Sequence, residues 1–304
     1  MLRTPLRPSA WLSAGADADV RLKLEVQQPT SSYKIRGAFN AVLRLLEEPD
    51  GSVPALVTAS AGNHGRALAW AARAGEMPLT VYAPSHAPRT KLDAIRASGA
   101  VLVPCVDYDE AERRAKEHAS RTGETYVSPY SHPDVIAGAG TIGLEILEDW
   151  PDVDVVVVPI GGGGLISGIA IAVHASSAAE VAGVEVAASN PFTQGIAAGR
   201  IVTIDVQPTL ADGLAGNLDP DTVTFEIVRR EVARIALVDE RPLGAGIAGL
   251  LKHEQLIAEG AGAVGIAALL GRTLDVRGKR VAVVLSGANI DNEQLTAISA
   301  DQEH

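Results

Sequence analysis

The sequence predicts an α/β protein with parallel sheets covered on both faces. Three observations carry that expectation. Val-rich runs of strand length are too continuously apolar to have a solvent face, they alternate with longer segments of helical periodicity, and small-residue turns follow several of them directly. A chain of 304 residues exceeds what one compact core usually holds, so two domains or one large α/β unit are expected.

The strand-like runs are, in order, "ALVTAS", "LTVYAP", "VLVPC", "TYVSP", "VDVVVVPI", "VAGVEVAA", "RIALVDE" and "RVAVVLSG". Helical patterns fall between them at 38–46, 66–74, 91–97, 109–121, 141–149 and 245–257. In sheets of this kind ligands sit at the carboxyl ends of the strands. The turn-rich connectors "EEPDGSVP" (47–54) and "SPYSHPD" (128–134) mark the domain boundaries. They predict a smaller inserted domain, 53–132, within a discontinuous larger one formed by 1–52 and 133–304.

A formal net charge of −11 disfavours a protein that lives on nucleic acid or anionic lipid, so any bound anion must be met by local dipoles. The single cysteine, Cys105, cannot form an intramolecular disulfide, and the start "MLRTPLRPSAWL" lacks the apolar core of a signal peptide. A reducing cytoplasm is the default. The uncharged stretch between Asp154 and Glu180 contains Pro159 and four successive glycines, which suits a buried strand, loop and helix better than a membrane span. No repeat or low-complexity tract is visible, and the tail "SADQEH" is polar. None of the seven histidines has compact ligand spacing, so no metal site is expected.

Four segments carry chemistry. In "PTSSYKIRGAFN" (29–40), Lys34 stands at a helix start; the S-x-x-K reading of Ser31 to Lys34 lacks its S-D-N and K-T-G partners and is set aside. In "TASAGNHGRALAWAA" a strand runs through Ser60, Ala61, Gly62, Asn63 and His64 into a helix, which aims backbone N–H groups at one point; a plain βα turn with Asn63 as helix cap is the competing reading. In "VVVVPIGGGGLISGIAIAV", Gly161, Gly162, Gly163 and Gly164 let the backbone wrap an anion at a helix N-terminus. The spacing is not that of a dinucleotide turn, although Glu185 after the next strand keeps that alternative open. In "VAVVLSGANID", Ser286 closes a buried-type strand. A Schiff-base lysine, an asparagine on an anion-binding turn, a tetraglycine phosphate loop and a strand-end serine are together what pyridoxal phosphate needs.

The chain resembles the fold-type II pyridoxal-phosphate enzymes of the serine/threonine dehydratase (threonine ammonia-lyase) family. The resemblance rests on "TPL" at 4–6, "SSYKIRGAFNAV", "SAGNHGRALA", "HPDVIAGAGTIGLEIL", "PIGGGGLISG", "ADGLAG" and "LSGAN", in that order. It implies a tryptophan-synthase-β-like fold of two parallel-type α/β domains with the active site between them. It also implies pyridoxal 5'-phosphate joined to Lys34 as a Schiff base, its phosphate held by the backbone of Gly161, Gly162, Gly163 and Gly164 with Leu165. Asn63 is then expected on the ring hydroxyl, Ser286 on the pyridine nitrogen, and Ser60, Ala61, Gly62, Asn63 and His64 on the substrate carboxylate.

The reaction implied is β-elimination of L-threonine and/or L-serine to 2-oxo acid and ammonia, with Lys34 taking the Cα proton. Ala61 stands where similar racemases place a second serine, and it carries no proton, which favours dehydration over racemisation. A serine racemase, a 3-hydroxyaspartate dehydratase or a non-catalytic cofactor-binding homologue are the alternatives. Ala139 and Tyr33 depart from the family's usual Gln and Phe, "VAASNPFTQ" lacks the carboxylates with which some relatives hold a divalent cation, and Asp212 and Glu259 are candidates to border the pocket. A homodimer is expected from the resemblance, and feedback through an appended regulatory domain is not.

Overall fold

The computed structural model describes residues 1–47 and 53–301. The connector at 47–54 and the last residues of the tail therefore fall largely outside the described residues, and the expected 52/53 boundary lies at their edge. From the N-terminus the chain forms β1 (Leu6–Pro8), α1 (Ala10–Ala16), β2 (Asp19–Leu24), α2 (Lys34–Leu46), β3 (Leu56–Ala59) and α3 (Asn63–Ala74). It continues as β4 (Leu79–Pro84), α4 (Arg89–Ala97), β5 (Val101–Cys105), α5 (Tyr108–Thr122), β6 (Thr125–Tyr126) and α6 (Pro133–Asp149). Then come β7 (Val155–Pro159), α7 (Gly164–His174), β8 (Glu180–Val186), α8 (Pro191–Ala198), α9 (Thr224–Glu231) and β9 (Arg234–Val238). The chain closes with α10 (Glu240–Gly249), α11 (Gly260–Leu270), β10 (Arg280–Leu285) and α12 (Asn292–Asp301).

These elements divide into two α/β domains. One contains Tyr33–Ala139, and the other Leu2–Ser32 with Gly140–His304. The division thus falls just before α2 and inside α6, whereas the turn chemistry of the sequence marks 52/53 and 132/133.

Among the described residues the Tyr33–Ala139 domain has a four-stranded sheet in the order β5-β4-β3-β6, and its pairs are all parallel. Every residue of β3 (LVTA) is buried, as a strand covered on both faces requires. Ile35, Leu56, Leu68, Val81 and Ile95 lie in the core beneath α2 and α3. Glycine permits the close approach of α2 and α6: a Cβ on Gly37 would stand 2.7 Å from the Val135 carbonyl oxygen, and one on Gly138 2.5 Å from that of Arg36.

The other domain has a six-stranded sheet among the described residues, ordered β1-β2-β10-β7-β8-β9 and parallel except where β1 meets β2. The Val-rich β7 and β10 lie side by side at its centre, with Val157 and Val283 fully buried, each such side chain contributing about 1.5–3 kcal/mol. Behind them α11, "GAGAVGIAALL", is buried on nearly all faces; its glycines let it lie on β10, where a Cβ on Gly265 would come 2.7 Å from Val283.

The sequence pattern misses β2, "DVRLKL", whose charges break an apolar run, yet β2 is an interior strand of the sheet. Its Lys23 is wholly buried, donating to the Thr4 carbonyl and to Glu145 on α6, both at 2.6 Å. Arg21 lies over the Trp150 ring at 3.7 Å. The helix expected over 245–257 is corrected too: α10 begins at Glu240, and 250–254 winds into a π-helix closed by Gln255 in the left-handed region (φ 52). No helix among the described residues is long and apolar enough to cross a membrane.

Candidate active site

In the Tyr33–Ala139 domain, β3 delivers the chain to Ser60, Ala61 and Gly62 at its carboxyl end, and α3 begins at once with Asn63. The cap position is Gly62, without a side-chain cap, so Asn63 is the first helical residue and not the cap that the competing sequence reading made it. The first amides of such a helix have no intrahelical acceptor and suit an anion. The turn is tight. The Ser60 amide donates to Tyr82, the Gly62 amide reaches Ser60 Oγ at 3.3 Å, and a Cβ on Gly65 would lie 2.2 Å from the Ser60 carbonyl oxygen. Ala61 is buried.

His64 is only 2% exposed, and its Nε2 lies 3.2 Å from the Val127 carbonyl oxygen. A carbonyl can only accept, so Nε2 carries the proton and Nδ1 is a buried acceptor that meets no partner. Burial first, and then the charge of Lys34, lowers the imidazole to about 3. It is neutral at any physiological pH.

Lys34 is the first residue of α2, and its Nζ donates to the Pro129 carbonyl at 2.6 Å. Pro129 belongs to the "SPYSHPD" turn, in which Ser128 Oγ accepts the amides of Tyr130 and Ser131 and His132 Nδ1 accepts that of Asp134. Burial also lowers His132. Sequence reasoning took this turn as a connector only. The Pro129 carbonyl that meets the Lys34 amine, and the Val127 carbonyl just before the turn that fixes the His64 tautomer, were missed because a carbonyl leaves no signature in residue type.

In the other domain the four glycines follow β7. Ile160 still donates to Val184, the chain then leaves the sheet, and α7 starts at Gly164 with Leu165 buried behind it. Of the four only Gly163 takes a left-handed conformation (φ 84). A Cβ there would come 2.6 Å from the Phe192 ring and 2.8 Å from Thr224 Cβ, and a Cβ on Gly161 3.0 Å from Leu214 Cα. Thr224 Oγ1 donates to the Gly162 carbonyl at 2.7 Å.

Ser286 follows β10 directly. The register that pairs Val283 with Val157 sets it, carried forward, level with Ile160 and beside the tetraglycine loop. Beyond it, Ser32 bridges Gly287, Ala288 donates to the Ser31 carbonyl, and Asn289 Nδ2 donates to that of Thr30 at 3.0 Å. The segment leading to Lys34 is thereby fastened to the strand end, with Ser31 in the left-handed region (φ 56).

Glu185, the acid that keeps a dinucleotide reading open in the sequence, is wholly buried and accepts from the amides of Phe192 and Thr193 (2.9 Å each) and the Thr193 hydroxyl (2.6 Å). It anchors the start of α8. Burial raises its carboxyl, offset by those bonds. Asp212 opens a 3₁₀ turn and Glu259 occupies the cap position of α11. Among the described residues no cluster of three His, Cys, Asp or Glu is placed to hold a metal.

Two parallel α/β domains that carry a helix-start lysine and a glycine loop at a strand end define a chain of the tryptophan-synthase-β-like, fold-type II architecture. The chain matches the family model described as pyridoxal-phosphate dependent enzyme over residues 1–287. It is 43% identical over 298 residues to the L-threonine ammonia-lyase of Thermotoga maritima, covering 97% of this chain and 73% of that one. To the L-threo-3-hydroxyaspartate ammonia-lyase of a Pseudomonas species it is 36% identical over 301 residues, with 97% and 92% covered. The solved structure of the processed form of threonine deaminase isoform 2 from Solanum lycopersicum matches with a TM-score of 0.91 at 31% identity, over 98% of this chain and 83% of that one.

The chain belongs to the fold-type II pyridoxal-phosphate enzymes of the serine/threonine dehydratase family. Its cofactor is pyridoxal 5'-phosphate, and its chemistry is β-elimination from small amino acids. The tetraglycine loop fits the cofactor's phosphate: it is a bare backbone turn at a helix start, tightly walled at Gly161 and closed to a Cβ at Gly163 by Phe192 and Thr224.

Proposed function

We propose that this protein dehydrates and deaminates L-threonine and/or L-serine to the 2-oxo acid and ammonia. Lys34, with Asn63, Ser286 and the amides of Gly161, Gly162, Gly163, Gly164 and Leu165, would hold the cofactor, and the turn Ser60, Ala61, Gly62, Asn63 and His64 the substrate carboxylate. The bound cofactor supplies the electron sink that makes the Cα proton acidic.

The protein's own groups do the rest. The first amides of α3 receive the carboxylate and orient the amino acid. The Lys34 amine takes the Cα proton, and the Pro129 carbonyl, an acceptor for its remaining N–H, keeps the amine aimed without neutralising it. Ser286, a hydroxyl and not a carboxylate, leaves the pyridine nitrogen without a full counter-charge. A weaker electron sink would favour prompt loss of the β-hydroxyl.

The observation that carries dehydration over inversion is Ala61, a buried methyl at the position from which a second proton carrier would act. The 3-hydroxyaspartate ammonia-lyase among the relatives makes that amino acid the runner-up substrate. The test is a panel of L- and D-serine, L- and D-threonine and 3-hydroxyaspartate, scored for 2-oxo acid and for inverted amino acid. L-Threonine or L-serine should release oxo acid, and Lys34→Ala should lower that release at least 10³-fold, as about 4 kcal/mol of lost transition-state stabilisation would. Inversion without oxo-acid release, or equal rates in Lys34→Ala, overturns the assignment.

A further inference from the structure

Thr222 and Thr224 are buried hydroxyls to which the reaction gives no part, and their hydrogen bonds have a fixed direction. The Thr224 hydroxyl is spent on the Gly162 carbonyl (2.7 Å), so the 2.8 Å contact between the two threonines must be donated by Thr222, whose oxygen in turn accepts the Thr224 amide at 3.3 Å. Both side chains are out of solvent, at 7% and 0% exposure. The result is a one-way chain of hydroxyls ending on one carbonyl of the tetraglycine loop.

That carbonyl matters because of what the same peptide carries on its other side. No described peptide is cis, and in a trans peptide the C=O and the following N–H point in opposite directions. Holding the Gly162 oxygen against Thr224 therefore turns the Gly163 N–H away from Thr224. A peptide between two glycines has little steric resistance to rotating about its flanking bonds, and rotation by half a turn would aim a carbonyl oxygen where the amide had been. An anion cradle built of N–H groups fails if one of them is replaced by an oxygen.

The geometry points to Thr224, backed by Thr222, as a positioning residue that holds the Gly162–Gly163 peptide with its N–H directed at the cofactor phosphate. This rests on the reading of the tetraglycine loop as the phosphate site, and the test separates the two. The binding of pyridoxal 5'-phosphate and of pyridoxal, which lacks the phosphate, is titrated against the cofactor-free full chain of the wild type, Thr224→Val and Thr224→Ser. The ³¹P resonance of bound pyridoxal 5'-phosphate is recorded for each.

Thr224→Val keeps the shape and removes the donor, so it should weaken pyridoxal 5'-phosphate about tenfold, leave pyridoxal unchanged and shift the phosphorus resonance. Thr224→Ser should stay within about twofold of the wild type, since its hydroxyl remains. Equal losses for both ligands, no loss in Thr224→Val, or a Thr224→Ser as weak as Thr224→Val each overturn the proposal. A wild type that does not prefer pyridoxal 5'-phosphate over pyridoxal overturns the cradle itself. Should Thr224→Val not fold, Thr222→Val carries the same comparison, with a loss of about two- to threefold confined to the phosphorylated ligand; an unchanged preference there sinks the idea.

Discussion

His64 is fixed as one tautomer by the Val127 carbonyl and is held neutral down to a pH of about 3, chiefly by burial and then by the nearby Lys34 charge. An imidazole that titrates near 6.5 once unfolded and near 3 when folded binds its proton only by unfolding across that interval. Stability is therefore unaffected by this group above the upper value and falls as the pH drops below it, by up to roughly 5 kcal/mol over the whole range. Lys34 and His132 face the same ring and oppose its protonation. The replacement His64→Gln, which keeps a donor for Val127 and removes the basic nitrogen, should flatten the dependence of the urea midpoint on pH between 6.5 and 5. An unchanged slope would show that His64 takes up its proton while folded. In the sequence the candidate site is most legible where the proposed chemistry asks for a residue type, as at Lys34 or the four glycines. The sequence was silent where the partner is a backbone oxygen, and it left Glu185 open, because that residue's role depends on the turn into α8 that brings two amides onto its carboxylate.

Elements were legible in proportion to the regularity of their hydrophobicity. β7 and β10 announce themselves as runs of valine, and α7 follows the loop that the glycines predict. β2 does not, because two cationic residues interrupt it, and what makes it an interior strand lies far away in the chain: Glu145 on α6 compensates Lys23, and Trp150 covers Arg21. α11 is hidden for the opposite reason, since a glycine-rich, uniformly apolar segment has no face for a helical period to reveal. Lys23 is wholly buried and Glu145 nearly so, so the pair clamps β2 to α6 out of water. Removing one partner strands the other's charge in the interior, and Glu145→Ala should cost about 3 kcal/mol of unfolding free energy. The double replacement Lys23→Met with Glu145→Leu should recover most of that loss, because no buried charge is left uncompensated. A single replacement that costs less than about 1 kcal/mol would mean the ammonium is solvated after all.

For the whole molecule, two α/β domains follow from the length and the alternation of strands and helices, while their limits do not. Turn chemistry marks chain direction changes, but a domain boundary is set by which cores the flanking helices join, and Ile35, Ala38 and Val135 share a core with Leu56 and Val81. With 26 Lys and Arg against 37 Asp and Glu, the protein's mean field repels the multiply anionic cofactor, and on the proposed site its capture falls to helix-start amides at short range. Salt screens the long-range repulsion within a Debye length of about 8–10 Å and leaves the close contacts nearly untouched. Raising potassium chloride from 20 to about 150 mM should therefore speed the association of pyridoxal 5'-phosphate with the cofactor-free protein by about twofold, with little change in the dissociation rate. Stopped-flow absorbance measures both constants, and inorganic phosphate at the same ionic strength gives the control for direct competition at the cradle. An association rate that instead falls steeply with salt would mean that clustered basic side chains steer the cofactor in, and that backbone dipoles are not what draws its phosphate to the glycines.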